Sequence, residues 1–139
     1  IKIPKEVAPS LIDEYLILSV AAAYAKGESR FCGLSELRVK ESNRFNAIQD
    51  LLNQSGVSCR EEGDDLLIKS NEIVLGGSNI RTNLDHRVAM AAMILGLNAK
   101  NEINIDDISP ISTSFPNFEE IYSKIGGVYK YIWEKWLLL

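Results

Sequence analysis

The residues from Leu37 to Arg44, with the sequence LRVKESNR, combine three cations with a carboxylate. The apolar residues that follow, at positions 45, 48, 51 and 52, have helical spacing, so we predict that Lys40, Glu41 and Arg44 occupy the first turn of an amphipathic helix. A helix start presents unpaired N–H groups and the positive end of the backbone dipole. With cations beside it, such a start can bind phosphate or carboxylate. The same spacing also fits a solvated face held by ion pairs.

Two further helix starts carry ionisable groups. Asp13 and Glu14 precede an apolar stretch at residues 15–25, and His86 and Arg87 begin another at 88–97. Each has an ordinary explanation: acids stabilise a helix start through the dipole, and a histidine there can bond to the backbone. Taken together with the first stretch, they predict helix starts gathered at one end of an α/β domain built from similar units, with a shared site for a small anion.

The bulk composition favours one globular domain. The chain has 139 residues, 46% of them hydrophobic, which is enough for a core. A net charge of −4 and a pI of about 5.0 argue against a nucleic-acid surface, so any anion site must be local.

The cysteine pattern and the apolar stretches point away from secretion and from membranes. Cys32 and Cys59 stand far apart without a CxxC motif, and the chain has one histidine. We therefore expect no zinc site and no disulfide framework, but buried thiols of a cytoplasmic protein. No signal-peptide pattern is present at the start. The apolar stretch from Ile12 to Ala25 is too short to span a bilayer and suits a buried helix.

The alternation of apolar and polar residues predicts the elements that must position these groups. Strands are predicted at residues 1–4, within 28–33, and at 57–61, 66–69, 73–75, 80–81 and 101–106, with helices at 15–25, 45–55, 88–97 and 114–125. Gly27, Gly56 and Gly126 are predicted to end helices, and the turn Gly63–Asp65 is predicted to join a hairpin.

Four blocks of the chain resemble the 5-enolpyruvylshikimate-3-phosphate synthase (3-phosphoshikimate 1-carboxyvinyltransferase) family. LRVKESNR resembles its LRVKESDR block, and DHRVAM from Asp85 resembles its NDHRMAM block. IDEY from Ile12 resembles the IDEYP helix start, and SFPNF from Ser114 resembles the closing SFP.F segment. The blocks stand in the family's order and extend from about residue 9 to 126, which makes the resemblance highly specific.

The resemblance implies a reaction and two acid/base groups. The family transfers the enolpyruvyl group of phosphoenolpyruvate to the 5-hydroxyl of shikimate 3-phosphate and releases phosphate. Asp13 would match the carboxylate that removes the 5-hydroxyl proton. Glu41 would match the group that moves the proton on the methylene carbon of phosphoenolpyruvate. Addition followed by elimination needs one group to take a proton and another to give one.

The resemblance also implies the substrate-binding residues. Arg44 and Arg87 would match guanidinium clamps on phosphoenolpyruvate, because their planar forks suit carboxylate and phosphate. Lys40 would match a residue at the shikimate phosphate site and the reacting centre. His86 would match a residue near the phosphate of phosphoenolpyruvate. We expect neither a metal nor a cofactor.

The family's architecture sets the expected fold and boundaries. Its members are roughly three times as long as this chain and fold as two domains, each made of three βαβαββ repeats with helices packed inside short-stranded sheets. We therefore expect an α/β (α+β) fold in which residues 1–127 form about two repeats of the C-terminal domain. Residues 128–139 form an apolar, aromatic tail outside the match, which could cover a bare face or join two copies of the chain.

Departures from the family pattern leave an alternative open. Leu16 stands where many members have proline, Asn43 replaces the more usual aspartate, and Ser114 stands where some members carry lysine. The expected activity needs an N-terminal domain, whose phosphate-binding segments have no counterpart in these residues. The alternative is a non-catalytic folded remnant of a truncated or split gene. The related UDP-N-acetylglucosamine enolpyruvyl transferases share the fold, but the RVKES and DHR blocks favour the shikimate branch.

Overall fold

A computed structural model of the chain describes residues 1–132. The helices are α1 (Ala8–Leu11), α2 (Tyr15–Tyr24), α3 (Arg44–Gln54), α4 (His86–Gly96), α5 (Ile111–Ser114) and α6 (Phe118–Lys124), with 3-10 turns at Lys5–Val7 and Ser35–Val39. The strands are β1 (Lys2–Ile3), β2 (Lys26–Phe31), β3 (Ser58–Glu62), β4 (Asp65–Asn71), β5 (Asn79–Ile80) and β6 (Asn104–Ile105).

The order of the elements follows the predicted repeat. Strand β1, helices α1 and α2, strand β2, helix α3 and the hairpin β3–β4 complete one βαβαββ unit. The second unit begins with strand β5, helix α4 and strand β6. The short helices α5 and α6 together take the place of its second helix, which gives the βαβα part of the repeat. The first unit forms a sheet in the order β1-β2-β4-β3, in which only β1 and β2 are parallel. The second unit contributes a parallel pair, β5 and β6.

Helices α2, α3 and α4 contact one another, and α2 also packs on β4. Their buried side chains form one core together with the inner faces of the strands. At its centre, Tyr15 at the start of α2 is fully buried and its ring lies 5.4 Å from that of Phe31 on β2. This packing explains why α2 carries almost no polar side chains, and it places the N-terminal ends of the three helices close together.

The predicted position of the charged cluster is wrong in one respect. Residues 35–39 form the separate 3-10 turn, and Lys40 and Glu41 lie in the bend that follows it, before the helix begins. Only Arg44 lies inside α3, at its first position. The helix begins there because the side chain of Asn43 accepts a hydrogen bond from the backbone N–H of Asn46 at 3.1 Å and so caps the first turn.

Several predicted boundaries also differ from the structure. Helix α2 ends at Tyr24 because Ala25 is already extended, and Gly27 lies within β2. Residues 73–75 are not a strand, the strand at 101–106 is reduced to 104–105, and the helix predicted at 114–125 begins only at Phe118, after the separate short helix α5. The hairpin is confirmed, with Glu62 paired to Asp65 across the Gly63–Asp64 turn. The predicted stop at Gly56 is also confirmed, with φ +84 directly after the C-cap of α3.

The predicted buried thiols are confirmed, since Cys32 and Cys59 are both free and buried. Burial raises the pKa of the Cys59 thiol to about 12. In residues 1–132, no single helix is long and apolar enough to cross a membrane. Only the bent pair Lys5–Leu11 and Tyr15–Tyr24, whose segments meet at 114°, has the length and composition to do so.

Part of the predicted tail can be described. Residues 128–132 lie against α6, where the hydroxyls of Tyr129 and Tyr131 donate to Oε2 of Glu119 at 2.6 and 3.1 Å. Val128 remains 91% exposed. The rest of the tail, residues 133–139, lies outside the described residues, and its role in joining two copies of the chain stays a prediction.

Candidate anion-binding site

The side chain of Arg44 is the centre of the charged cluster. Its position at the start of α3 directs the guanidinium into the space between α2, α3 and α4, where it is only 1% exposed. A buried guanidinium must have its donors satisfied, because an unpaired buried charge is strongly destabilising. The partners come from all three helix starts, so this one side chain links them.

The main partner of Arg44 is Asp85, the N-cap residue of α4. Asp85 is fully buried, and its Oδ2 accepts a hydrogen bond from Nε of Arg44 at 2.8 Å while its Oδ1 accepts one from Nη2 at 3.3 Å. The same carboxylate accepts the hydroxyl of Ser42 at 2.9 Å and the backbone N–H of Arg87 at 3.0 Å. The three bonds from Ser42 and Arg44 join the start of α3 to the start of α4, and the fourth caps α4 itself.

The two buried charges stabilise each other. Burial alone would raise the pKa of Asp85, but hydrogen bonds from Arg44 and Ser42 and the charge of Arg44 hold this pKa below its ordinary value. Burial likewise works against the charge on Arg44. The bond to Asp85 and the charges of Asp85, Glu41 and Asp13 outweigh that effect and raise the pKa of the guanidinium. Both groups are therefore charged at neutral pH.

The predicted acid/base residues contact the outer side of the same guanidinium. Oδ1 of Asp13 lies 3.0 Å from Nη1 of Arg44, and Oε2 of Glu41 lies 2.5 Å from Nη2. Lys40 also contacts Asp13, with its Nζ 3.8 Å from the Asp13 carboxylate and 3.0 Å from that of Glu36. The side chains of Asp13 and Glu41 are 48% and 59% exposed, so both carboxylates can reach a ligand from solvent.

Arg87 approaches from the first turn of α4. Its Nη1 donates to the backbone carbonyl of Asp13 at 2.7 Å and lies 3.3 Å from Oε1 of Glu14, and the side chain is about one third exposed. His86, the first residue of α4, is half-buried, and its side chain makes no hydrogen bond or ion pair with any residue of the described chain. The structure thus brings five of the six predicted site residues into one contact network and places His86 at its edge.

This arrangement distinguishes two kinds of partner for Arg44. Asp85 is buried and fixed by four hydrogen bonds, whereas Asp13 and Glu41 are exposed and hold the guanidinium by one ion pair each. An incoming carboxylate or phosphate would compete with the exposed pair, because displacing Asp85 would leave a buried charge unpaired. Arg44, Lys40 and Arg87 can then offer a fork and two further cations to one anion.

Asp85 and Ser42 belong to this contact network, although the sequence analysis did not single them out as site residues. In the structure, Asp85 also caps α4. The available signal was its place directly before His86 and Arg87. Nothing in the sequence indicated the backbone of the preceding turn, in which Asn83 and Leu84 have φ values of +50 and +60. Leu84 is also 71% exposed.

The described residues contain no group of three or more His, Cys, Asp or Glu side chains placed to hold a metal ion. An open cavity of about 840 Å³ lies apart from the charged network, where β6 and residues 128–132 line its walls. The charged network at the three helix starts is therefore the candidate site, and it combines the cations Lys40, Arg44 and Arg87 with two exposed carboxylates.

Comparison with known proteins places this fold and site in a class. The enolpyruvyl transferase NikO from Streptomyces tendae superposes with a TM-score of 0.63 over 84% of this chain and 25% of its own, at 17% identity, which supports the fold. Two structures of EPSP synthase from Acinetobacter baumannii superpose more closely. One has a TM-score of 0.84 at 34% identity, over 89% of this chain and 29% of its own. The other has a TM-score of 0.85 at 29% identity, over 95% and 30%. The fold is that of the enolpyruvyl transferases.

Sequence comparison identifies the family within this class. The profile of EPSP synthase (3-phosphoshikimate 1-carboxyvinyltransferase) matches residues 2–122. The 3-phosphoshikimate 1-carboxyvinyltransferase of Gluconobacter oxydans is 48% identical over 127 residues, which cover 91% of this chain and 29% of the relative. That of a Rhodopseudomonas palustris strain is 46% identical over the same length, covering 91% and 28%. This chain belongs to the EPSP synthase family, and it spans less than a third of the length of these relatives.

Proposed function

We propose that this chain supplies one part of the active site of an EPSP synthase, which transfers the enolpyruvyl group of phosphoenolpyruvate to the 5-hydroxyl of shikimate 3-phosphate. The observation that carries the proposal is the guanidinium of Arg44, which Asp85 holds from the buried side while Asp13 and Glu41 contact it from the exposed side. One fixed cation with two solvent-accessible carboxylates matches a reaction that binds an anion and moves two protons.

Arg44, Arg87 and Lys40 would bind the anionic groups of the substrates. Arg44 and Arg87 would clamp phosphoenolpyruvate, since each can present a planar fork to a carboxylate or a phosphate. Lys40 would contact the phosphate of shikimate 3-phosphate as a compact positive charge. His86 would lie near the phosphate of phosphoenolpyruvate, and its freedom from other hydrogen bonds within the described chain leaves both ring nitrogens available to a ligand.

Asp13 and Glu41 would carry out the proton transfers. Asp13 would accept the proton of the 5-hydroxyl of shikimate 3-phosphate while the oxygen of this hydroxyl attacks the enol carbon of phosphoenolpyruvate. Glu41 would deliver a proton to the methylene carbon and take one back when phosphate leaves. Binding of the substrate anion at Arg44 would release both carboxylates from their ion pairs, so they would be free to act when substrate is present.

The activity would require the rest of the enzyme. The relatives are more than three times as long as the matched segment, so the groups that complete the phosphate sites would come from a separate N-terminal domain. We also propose that residues 1–127 correspond to part of the C-terminal domain. The enzyme would act in the cytoplasm, in the synthesis of aromatic amino acids. If no such domain is available, the chain would be a folded remnant that retains anion binding alone.

A reconstitution experiment tests the proposal. The chain is titrated with phosphoenolpyruvate and shikimate 3-phosphate in a calorimeter, with and without the separately expressed N-terminal domain of the Gluconobacter oxydans relative, and phosphate release is followed. We expect turnover only in the mixture. Glu41→Gln should lower kcat by a factor on the order of 10² to 10⁴ while substrate still binds. Glu36→Gln, which removes a neighbouring carboxylate that forms an ion pair with Lys40, is the matched control.

The outcomes separate the two candidate functions. Turnover that depends on Glu41 supports the enzyme. Binding of phosphoenolpyruvate without turnover, in a mixture whose two components are both folded, would support the alternative that the chain is a non-catalytic remnant. Turnover that is equally low in the Glu36→Gln and Glu41→Gln variants would contradict the assignment of the acid/base group.

A further inference from the structure

A buried threonine is attached to the end of strand β6. Thr82 is 1% exposed, and its backbone N–H donates to Oδ1 of Asp106 at 2.9 Å. Its hydroxyl lies within hydrogen-bond distance of the same oxygen, at 3.0 Å, and of the carbonyl of Asp107, at 3.1 Å. The threonine is therefore fixed to the end of β6 through both its backbone and its side chain.

The turn that follows Thr82 is strained. The backbone N–H of Asp85 donates to the carbonyl of Thr82 at 2.9 Å, and the two residues between them both have positive φ. Two central residues with positive φ define a type I′ turn, for which asparagine followed by glycine is strongly preferred. Asn83 suits its position, but Leu84 has a side chain that disfavours the left-handed conformation. The turn thus needs an external attachment to persist.

The strained turn leads directly to the buried carboxylate of the site. Asp85 is its last residue, and Asp85 holds Arg44 through two hydrogen bonds. Rotation of the turn toward a relaxed backbone would move the Asp85 carboxylate away from Arg44. We propose that Thr82 and Asp106 are positioning residues of the anion site, which hold this strained turn so that Asp85 keeps Arg44 in place. Their effect on substrate rests on the function proposed above for Arg44.

A ligand-free measurement tests the positioning directly. In ¹⁵N-labelled protein, the Nε–H of Arg44, assigned by its loss in Arg44→Lys, reports the hydrogen bond to Asp85 through its slow exchange with solvent. In Thr82→Val, which keeps the shape but loses the hydroxyl, we expect this exchange to accelerate by about tenfold, the size of one lost buried hydrogen bond. Thr82→Ser should keep the slow exchange. Thr113→Val, which removes an exposed threonine hydroxyl bonded to Pro110, is the matched control and should change nothing.

A rescue variant separates positioning from general stability. Leu84→Gly removes the side chain that disfavours the left-handed backbone, so in the Thr82→Val background it should restore most of the slow exchange of Arg44 Nε–H. A threonine that only stabilised the fold would not be rescued in this way. If Thr82→Val does not fold, Asp106→Asn, which weakens the same acceptor, takes its place with an expected acceleration of about threefold.

Two results would overturn the proposal: unchanged exchange of Arg44 Nε–H in a folded Thr82→Val protein, or failure of Leu84→Gly to restore it. In the reconstituted enzyme, Thr82→Val should also raise the Kd for phosphoenolpyruvate by about five- to tenfold, and Leu84→Gly should reverse this. Absence of phosphoenolpyruvate binding in the reconstituted enzyme without substitutions would refute the proposed function. The exchange measurement would still decide the positioning role, because it needs no ligand.

Discussion

Replacing Asp85 by asparagine should be among the most destabilising single changes of a polar residue in this chain. The substitution keeps the size of the side chain but removes the charge that faces the 1% exposed Arg44. It also turns one acceptor oxygen into a donor that must face Arg44 or Ser42. The guanidinium would retain only its ion pairs with the exposed carboxylates of Asp13 and Glu41.

The expected magnitude follows from these contacts. Breaking a buried ion pair by removing one partner typically costs about 3–5 kcal/mol. The remaining contacts to Asp13 and Glu41 offset part of this, so we expect a loss of about 3 kcal/mol, near the lower end of that range. For a chain of this length, that loss corresponds to a fall in Tm of roughly 10 °C.

The assay is urea unfolding at pH 7 followed by far-ultraviolet circular dichroism, with Asp13→Asn as the matched control. Asp13 also pairs with Arg44 but is 48% exposed, so its loss should cost less than about 1 kcal/mol. A combined Arg44→Met and Asp85→Leu protein should recover most of the stability, because it buries no charge. A loss below about 1 kcal/mol in Asp85→Asn, or equal losses in Asp85→Asn and Asp13→Asn, would refute the reasoning.

Other changes give further tests. Tyr15→Phe should raise the free energy of unfolding by about 1 kcal/mol, because the buried Tyr15 hydroxyl has no hydrogen-bond partner among the described residues; a loss of stability in urea unfolding would contradict this. The Cys59 thiol has a pKa of about 12 in the folded protein, against 9.0 when exposed. Its contribution to the free energy of unfolding is therefore complete below pH 9 and declines as the pH rises toward 12. Unfolding at pH 8 and 10.5 should show a loss of about 2 kcal/mol from this group that Cys59→Val abolishes, and equal losses in both proteins would count against it. Arg87→Ala should weaken phosphoenolpyruvate binding to the reconstituted enzyme by about 2–3 kcal/mol in calorimetry while changing stability by less than about 1 kcal/mol, and an unchanged Kd would exclude its predicted role.

Periodicity and turn chemistry were sufficient to predict the elements that carry the site. The spacing of Phe45 and Ile48 predicted α3, and the Gly63–Asp64 turn predicted the β3–β4 hairpin. Both signals are local, since they depend on residues a few positions apart. The strand predicted at 73–75 does not form, because the backbone of these residues is hydrogen-bonded to two irregular segments rather than to a strand. The N–H of Leu75 donates to the carbonyl of Ser55, and the carbonyl of Leu75 accepts from the N–H of Asn101.

The site itself was predictable in its membership but not in its organisation. The sequence blocks singled out Asp13, Arg44 and Arg87, which the structure brings together. Burial of Arg44 against Asp85, which stands 41 positions later, is a consequence of helix packing. Exposed charged clusters and buried ion pairs are built from the same residue types, so no pattern of charge could show that the side chain of Arg44 is buried. The left-handed backbone at Leu84 was equally hidden, because leucine gives no turn signal.

The charged network is divided between the two βαβαββ units. Asp13 and Arg44 belong to the first unit, and Asp85 and Arg87 belong to the second. The first unit contains the guanidinium of Arg44 and its exposed partners Asp13 and Glu41, but the buried carboxylate that fixes the guanidinium comes from Asp85 of the second unit. The buried pair therefore exists only where the two units pack together, which makes the interface between the repeats, rather than either repeat, the element on which selection for ligand binding would act.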